Sequence, residues 1–190
     1  MLRRRLSFLA KVVLRVAYDC AHGVSDARVV FASRHGELVR TTSMLEDLAI
    51  GEGLSPAVFG MSVLNASVGL FSILEQNSAP ATAISAGCAS FGFGLMEACL
   101  QLAENPAQPV LFVYADEPVP AVYEEADEPP AHAIGILLDS SSPMRVACTT
   151  APGQAVHDDE AQSQAFLRCL VNGRSEWHEA GRSWRWEKMQ

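Results

Sequence analysis

The stretch Ala81–Leu102, reading ATAISAGCASFGFGLMEACLQL, constrains the fold more than any other part of the chain. A β-like apolar run, Ala81 to Ala86, stops at Gly87-Cys88 and passes at once into a helix-like run, Ser90 to Leu102. After Ser90 that run carries only Glu97 and Gln101 as charged or amide side chains, one turn apart. A helix apolar nearly all round is buried on several sides, between layers of structure. The cysteine between the two runs stands at a strand-to-helix elbow, where the positive end of the helix dipole favours a thiolate. Cys88 is therefore a candidate nucleophile. The competing reading is a small residue tolerated at a tight turn, because cysteine outside disulfides is among the most often buried side chains. Ser85 and Ser90 flank Cys88 without forming a G-x-S-x-G elbow, which speaks against a serine hydrolase.

Around this unit the chain alternates strands and helices. Ala27–Ser33 (ARVVFAS), Pro109–Ala115 (PVLFVYA) and Ala133–Leu138 (AIGILL) read as buried strands. Leu6, Leu9, Val13, Val16 and Ala17 recur at helical spacing, so the N-terminal segment is an amphipathic helix packed on a sheet. Ser43 and Glu46 have the form of a capping box opening a short helix through Leu48. Ser55-Pro56 starts another turn or helix, and Asn65–Glu75 is helical with Val68, Phe71 and Leu74 on one stripe. The pattern predicts an α/β fold with a mixed or parallel sheet and a buried central helix. We read 1–190 as a single domain with a core over about 1–140. A polar linker, a helix near Glu160–Leu170 and a tail bearing Trp177, Trp184 and Trp186 make up 141–190, the tail folding back over the core.

Composition narrows the function classes. With 49% apolar and 19% charged residues the chain is globular, and a net charge of -8 argues against a nucleic-acid partner. The five cysteines, Cys20, Cys88, Cys99, Cys148 and Cys169, show no CxxC spacing. Neither a disulfide framework nor a metal site follows; reduced thiols and a cytoplasmic location do. Lys11 and Arg15 interrupt the apolar run after Arg3–Arg5, so a signal peptide is disfavoured, and no run has the length of a membrane span. Three polar sites compete with Cys88. His157-Asp158-Asp159 reads as a solvated charge run, Arg34-His35 as a loop-structuring pair after a strand, and Asp116-Glu117 as a solvated or capping pair after another.

A strand, a cysteine at the start of a buried helix and a further strand resemble the middle of a thiolase-fold N-terminal half. AISAGCASFGFGLMEACLQL resembles the active-site segment of β-ketoacyl synthases, with Cys88 at the nucleophile position. FASRHGEL (31–38), LSPAVFGMSVLNASVGLFSI (54–73), ATAISAG (81–87), YADEPVP (114–120), Phe166-Leu167 and the closing Trp184-Arg185-Trp186 widen the resemblance to β-ketoacyl synthase-like N-terminal domains. Relatives of that kind accompany aryl polyene and xanthomonadin-type clusters, some acting as chain-length-factor-like partners of a ketosynthase. The resemblance implies a further stretch, with a first strand, ahead of the Arg3–Arg5 segment, so either the start lies upstream of Met1 or the protein is a truncated form. Two departures stand out: the family commonly has a histidine where this chain has Leu64, and many members lack a cysteine at the position of Cys88.

What the resemblance implies is a ketosynthase-like subunit that does not act alone. A condensing enzyme needs a thiolate acyl acceptor and two histidines from the second half of the fold. None of His22, His35, His132, His157 and His178 lies in the required kind of glycine-threonine loop. We therefore expect a chain-length-factor-like subunit of a ketosynthase heterodimer, or a homodimer, visited by acyl carrier protein thioesters and using no cofactor. Met61, Phe91 and Phe93 are expected to line an acyl tunnel. Ala81, Thr82, Ala83, Ile84, Ser85 and Ala86 are expected to form the dimer strand, and a partner is expected to cover the apolar central helix. Two alternatives stay open: a Cys88-dependent acyltransferase or β-ketoacyl synthase completed by partner histidines, and a structural binding module without acyl chemistry.

Overall fold

One helix held between two sheets organises the chain. The computed structural model describes residues 6–123, 130–153, 156, 158–179 and 181–189. The first sheet contains β1 (Arg28–Ala32), β2 (Ala81–Ile84), β3 (Val110–Asp116) and β4 (His132–Leu138), in the order β2-β1-β3-β4. β1 runs parallel to β2 and β3, and β4 returns antiparallel along β3. This is the mixed α/β sheet that the sequence predicts.

β1 is buried along its whole length, and β3 from Val110 to Ala115, because both faces of this sheet are covered. On one face Leu9, Val13 and Ala17 of α1 (Phe8–Ala21), with Val68 and Phe71 of α4 (Ala66–Leu74), pack on Val29, Phe31, Leu111 and Val113. On the other face Phe91, Leu95 and Ala98 of α5 (Ser90–Glu104) pack on Val30, Ala32, Phe112 and Tyr114. α5 comes close to the sheet at Gly94, where a Cβ would stand 2.6 Å from Ala32 Cβ and 2.7 Å from Phe112 Cε2. Its far end is fixed by buried Arg28, whose guanidinium donates to the carbonyls of Gln101 and Asn105, a cation at a helix C-terminus.

The tail forms a structure of its own. β5 (Arg145–Pro152), β6 (Arg174–Glu179) and β7 (Arg182–Met189) make an antiparallel sheet in the order β5-β7-β6, with α6 (Gln162–Asn172) packed beside it. Trp177, Trp184 and Trp186 are all buried, so the tail does fold back over the core. Phe91 of α5 meets Phe166 of α6 and Trp186 of β7 with ring centroids 5.2 and 6.5 Å apart, and Phe93 meets Trp184 edge-on at 5.0 Å. The chain thus covers with its own C-terminal module a face of α5 that we expected a partner to cover.

Three local readings are corrected. The segment read as a polar linker from residue 141 contains β5. The capping box at Ser43 and Glu46 does not form, because α2 (Leu38–Ala49) begins five residues earlier. Its N-cap is Glu37, a buried carboxylate that accepts from Ser7 Oγ (2.7 Å) and Arg40 Nε (3.1 Å) and so leaves Ser43 on an exposed position inside the helix. Ser55-Pro56 opens a four-residue helix, α3 (Pro56–Phe59), as the sequence predicts. Leu74 is exposed, while Val68 and Phe71 from the same stripe are buried.

Candidate active-site elbow

The elbow lies where the parallel strands β1, β2 and β3 end, the edge at which open α/β sheets place functional loops. β2 stops at Ile84, whose carbonyl accepts from Ser33 N (3.1 Å), and Ser85 Oγ donates to Arg34 O (2.9 Å). The chain then turns through Gly87 at φ +59°, a left-handed conformation that suits glycine. Ser90, fully buried at the first position of α5, locks the turn. Its Oγ donates to Gly87 O (2.6 Å) and accepts from Ala86 N (2.8 Å), while its backbone N donates to Gly87 O (3.1 Å). Cys88 is half-buried at this turn, packed against the core that contains Phe91 and Tyr114. None of the five cysteines is in a disulfide.

Asp116, at the end of β3, organises the neighbouring loop. Its Oδ1 accepts from Ser33 Oγ (2.8 Å) and Arg34 N (2.8 Å), and its Oδ2 from the Tyr114 hydroxyl (2.5 Å). Gly36 N in turn donates to Ser33 Oγ (2.8 Å). Both Arg34-His35 and Asp116 therefore take part in structuring the loop. The Tyr114 phenol is pushed up by burial first, then by the Asp116 carboxylate, its hydrogen bond to that carboxylate and the charge of Cys88. Glu117 is raised by burial and by the Glu37 and Asp116 carboxylates. The Asp116 and Glu117 carboxylates and the Arg34 guanidinium thus all stand at the strand ends near the elbow.

Sequence reasoning gave no role to His132. It opens β4 opposite Asp116, and its ring lies 5.5 Å from that of Tyr114. Pro130 O can only accept, so His132 Nδ1 (3.0 Å away) carries the proton in the neutral ring, and Nε2 accepts from Ser163 Oγ (2.8 Å). Ser163 lies in the first turn of α6 and is fully buried. Its neighbour Gln162 reaches the elbow's helix, accepting from Gly92 N at 2.6 Å. The C-terminal module therefore touches the site at two points that only the fold brings together.

The other candidates are spread out. Phe91 is fully buried, in ring contact with Phe112, Tyr114, Phe166 and Trp186. Phe93 is half-buried against Trp184. Met61 is half-buried three residues before Leu64, a residue beside Gly36 in the loop after β1. His157 lies outside the described residues. Asp158 Oδ2 accepts from His178 N (2.7 Å) and lies 3.3 Å from His178 Nδ1, tying the loop before α6 to β6. A groove of about 510 Å³ lies against the C-terminal sheet, lined by Thr149, Ala151, Glu176, His178, Trp184 and Arg185 among others. Among the described residues there is no cluster suited to a metal ion and no helix long and apolar enough to cross a membrane.

β2 is an edge strand whose outer side pairs with no other strand among the described residues. Val29 N donates to Pro80 O and Ser33 N to Ile84 O, so in a parallel ladder the backbone groups of Ala81, Ala83 and Ser85 point outward. Exposed apolar side chains are frequent on the segments before β2: Leu45, Leu48 and Ile50 at the end of α2, Phe59 on α3, and Ile73 and Leu74 on α4.

Comparison with known proteins matches residues 1–187 to the family described as β-ketoacyl synthase, N-terminal domain. A solved complex of a ketosynthase, ApeO, with its chain length factor, ApeC, from Xenorhabdus doucetiae contains a similar chain, with TM-score 0.87 and 30% identity. The match covers 98% of this chain and 80% of that one. The ishigamide ketosynthase/chain length factor shares the fold at TM-score 0.67 and 16% identity, over 88% of this chain and 55% of its own. No curated protein sequence matches.

Proposed function

The chain belongs to the β-ketoacyl synthase N-terminal domain family, and from that premise we propose that it is a chain-length-factor-like subunit that acts on a ketosynthase partner. Its task in this reading is to shape or limit the acyl tunnel during polyene or fatty-acid-type chain extension, with Met61 and Phe93 near the growing chain. The observation that carries the proposal is the outward-facing edge of β2, with exposed Ile73 and Leu74 on the neighbouring helix α4. Open edges offer main-chain hydrogen bonds to another strand, and apolar patches of this kind mark partner surfaces. A stable interface of this sort buries about 2,000 Å² or more. The similarity to a chain from a ketosynthase/chain length factor complex supports the identity of the partner, and acyl carrier protein would visit the assembly.

Co-expression with a ketosynthase encoded beside this chain tests the proposal. The wild-type pair is expected to co-purify as a stable complex. Ala83→Pro removes an outward N–H and leaves the inner ladder to β1 intact, so it should abolish the complex while the chain stays folded. A monomer indifferent to the ketosynthase would contradict the reading and leave a structural module without acyl chemistry.

The second reading makes Cys88 an acyl acceptor in an acyltransferase or synthase completed by partner histidines. Its support is the partial exposure of Cys88 at the strand-end edge. Incubation of the complex with an acyl-carrier thioester distinguishes the two. Intact mass is expected to show no stable acylation of wild type and no loss of product with Cys88→Ser; acylation of wild type alone, with product lost in the variant, would favour the second reading.

A further inference from the structure

The N-terminal turn of α5 is already engaged from within the chain. Ser90 N donates to Gly87 O, and Phe93 N makes the ordinary helical bond to Ala89 O. Gly92 N, an amide that a helix start leaves without an intrahelical acceptor, is taken by the side-chain oxygen of Gln162, seventy residues away. Gln162 is 2% exposed. Its Oε1 lies 2.6 Å from Gly92 N, and its Nε2 has no hydrogen-bond partner. A Cβ on residue 92 would stand 2.7 Å from that Nε2 and 2.8 Å from Trp184 Cζ3, so glycine is what lets the amide group reach the helix.

A buried amide that leaves its own NH2 unpaired is a poor choice for packing alone, since an apolar side chain of the same length would cost less. What it supplies is an acceptor at the positive end of α5, on an amide four residues after Cys88. The exposed N–H groups of a helix start are what favour a thiolate there, and an acceptor placed on one of them weakens that field. We propose that Gln162 is a positioning residue that holds down the reactivity of Cys88, so that the C-terminal module controls the thiol from within the chain. This goes beyond the docking reading and holds whether or not a ketosynthase binds.

The experiment measures the pH dependence of iodoacetamide labelling in the isolated full chain, with each cysteine followed by peptide mass spectrometry. Gln162→Met removes the acceptor and keeps the length. It is expected to speed labelling of Cys88 about two- to five-fold near neutral pH, the range of a helix-terminus effect, and to move its profile to lower pH. Cys169, fully buried on α6, reports loosening of the module and should remain unlabelled. Gln162→Glu restores an acceptor oxygen and should leave Cys88 at or below the wild-type rate. Unchanged Cys88 in Gln162→Met, or Cys88 and Cys169 rising together, would overturn the proposal. If the Met variant does not fold, the Glu variant decides alone: a Cys88 rate above wild type overturns it, and a rate at or below supports it.

Discussion

The two sheets bury their strands in opposite ways. In the first, β1 and β3 are covered on both faces, and every residue from Val110 to Ala115 is buried. In the second, burial alternates: Ser175 and Trp177 face inward while Arg174 and Glu176 face out, and Trp184 and Trp186 face inward beside exposed Arg185 and Glu187. A sheet covered on both faces is the centre of a fold, and one covered on a single face is a lid. Here the lid closes on α5, and Phe91 joins the two layers through ring contacts with Phe112 and Tyr114 on one side and Phe166 and Trp186 on the other. The aromatic face of α5 is therefore closed from within the chain, while the outer edge of β2 pairs with no strand among the described residues.

The largest expected effect lies where the two layers meet. Trp186→Ala should cost about 3–5 kcal/mol in urea unfolding, as large aromatic truncations in cores do. The remaining transition should stay single, because one aromatic cluster serves both sheets. A loss below about 1 kcal/mol, or two separate transitions, would mean that the lid folds independently and that the contrast between the sheets is one between domains.

A smaller effect concerns the strand ends of the first sheet. The Tyr114 phenol is raised in the folded chain by burial and by Asp116, so its neutral form is favoured there. Its contribution to stability is fully present below the unfolded-state value of about 10 and is lost as pH climbs above it. Stability should fall above about pH 10, and the fall should be shallower in Tyr114→Phe. Identical slopes in the two proteins would remove Tyr114 and Asp116 from the account of the elbow.

The same contrast explains what could be read from the sequence. Doubly covered strands leave continuous apolar runs, and VVFA and VLFVYA are recognisable without a structure. The elbow was legible for a related reason: a glycine and a cysteine interrupt an otherwise unbroken apolar stretch. The lid was not, because SEW and SWRW carry their signal as alternation around charged residues, with the turn at Gly181 as punctuation. Reading period two there would have found β6 and β7. Gln162, Ser163 and His132 had no local signal at all, since their contacts join segments thirty to seventy residues apart. Glu37 likewise shows its burial only in the fold, where Ser7 and Arg40 hold its carboxylate.

The central claim is that the lid leaves the β2 edge as the docking face. Amide hydrogen exchange of the chain with and without its ketosynthase partner tests this most directly. The account predicts new protection at Ala81, Ala83 and Ser85, with exchange in the Trp177–Trp186 hairpin unchanged. Protection of the hairpin without any change along β2 would contradict it.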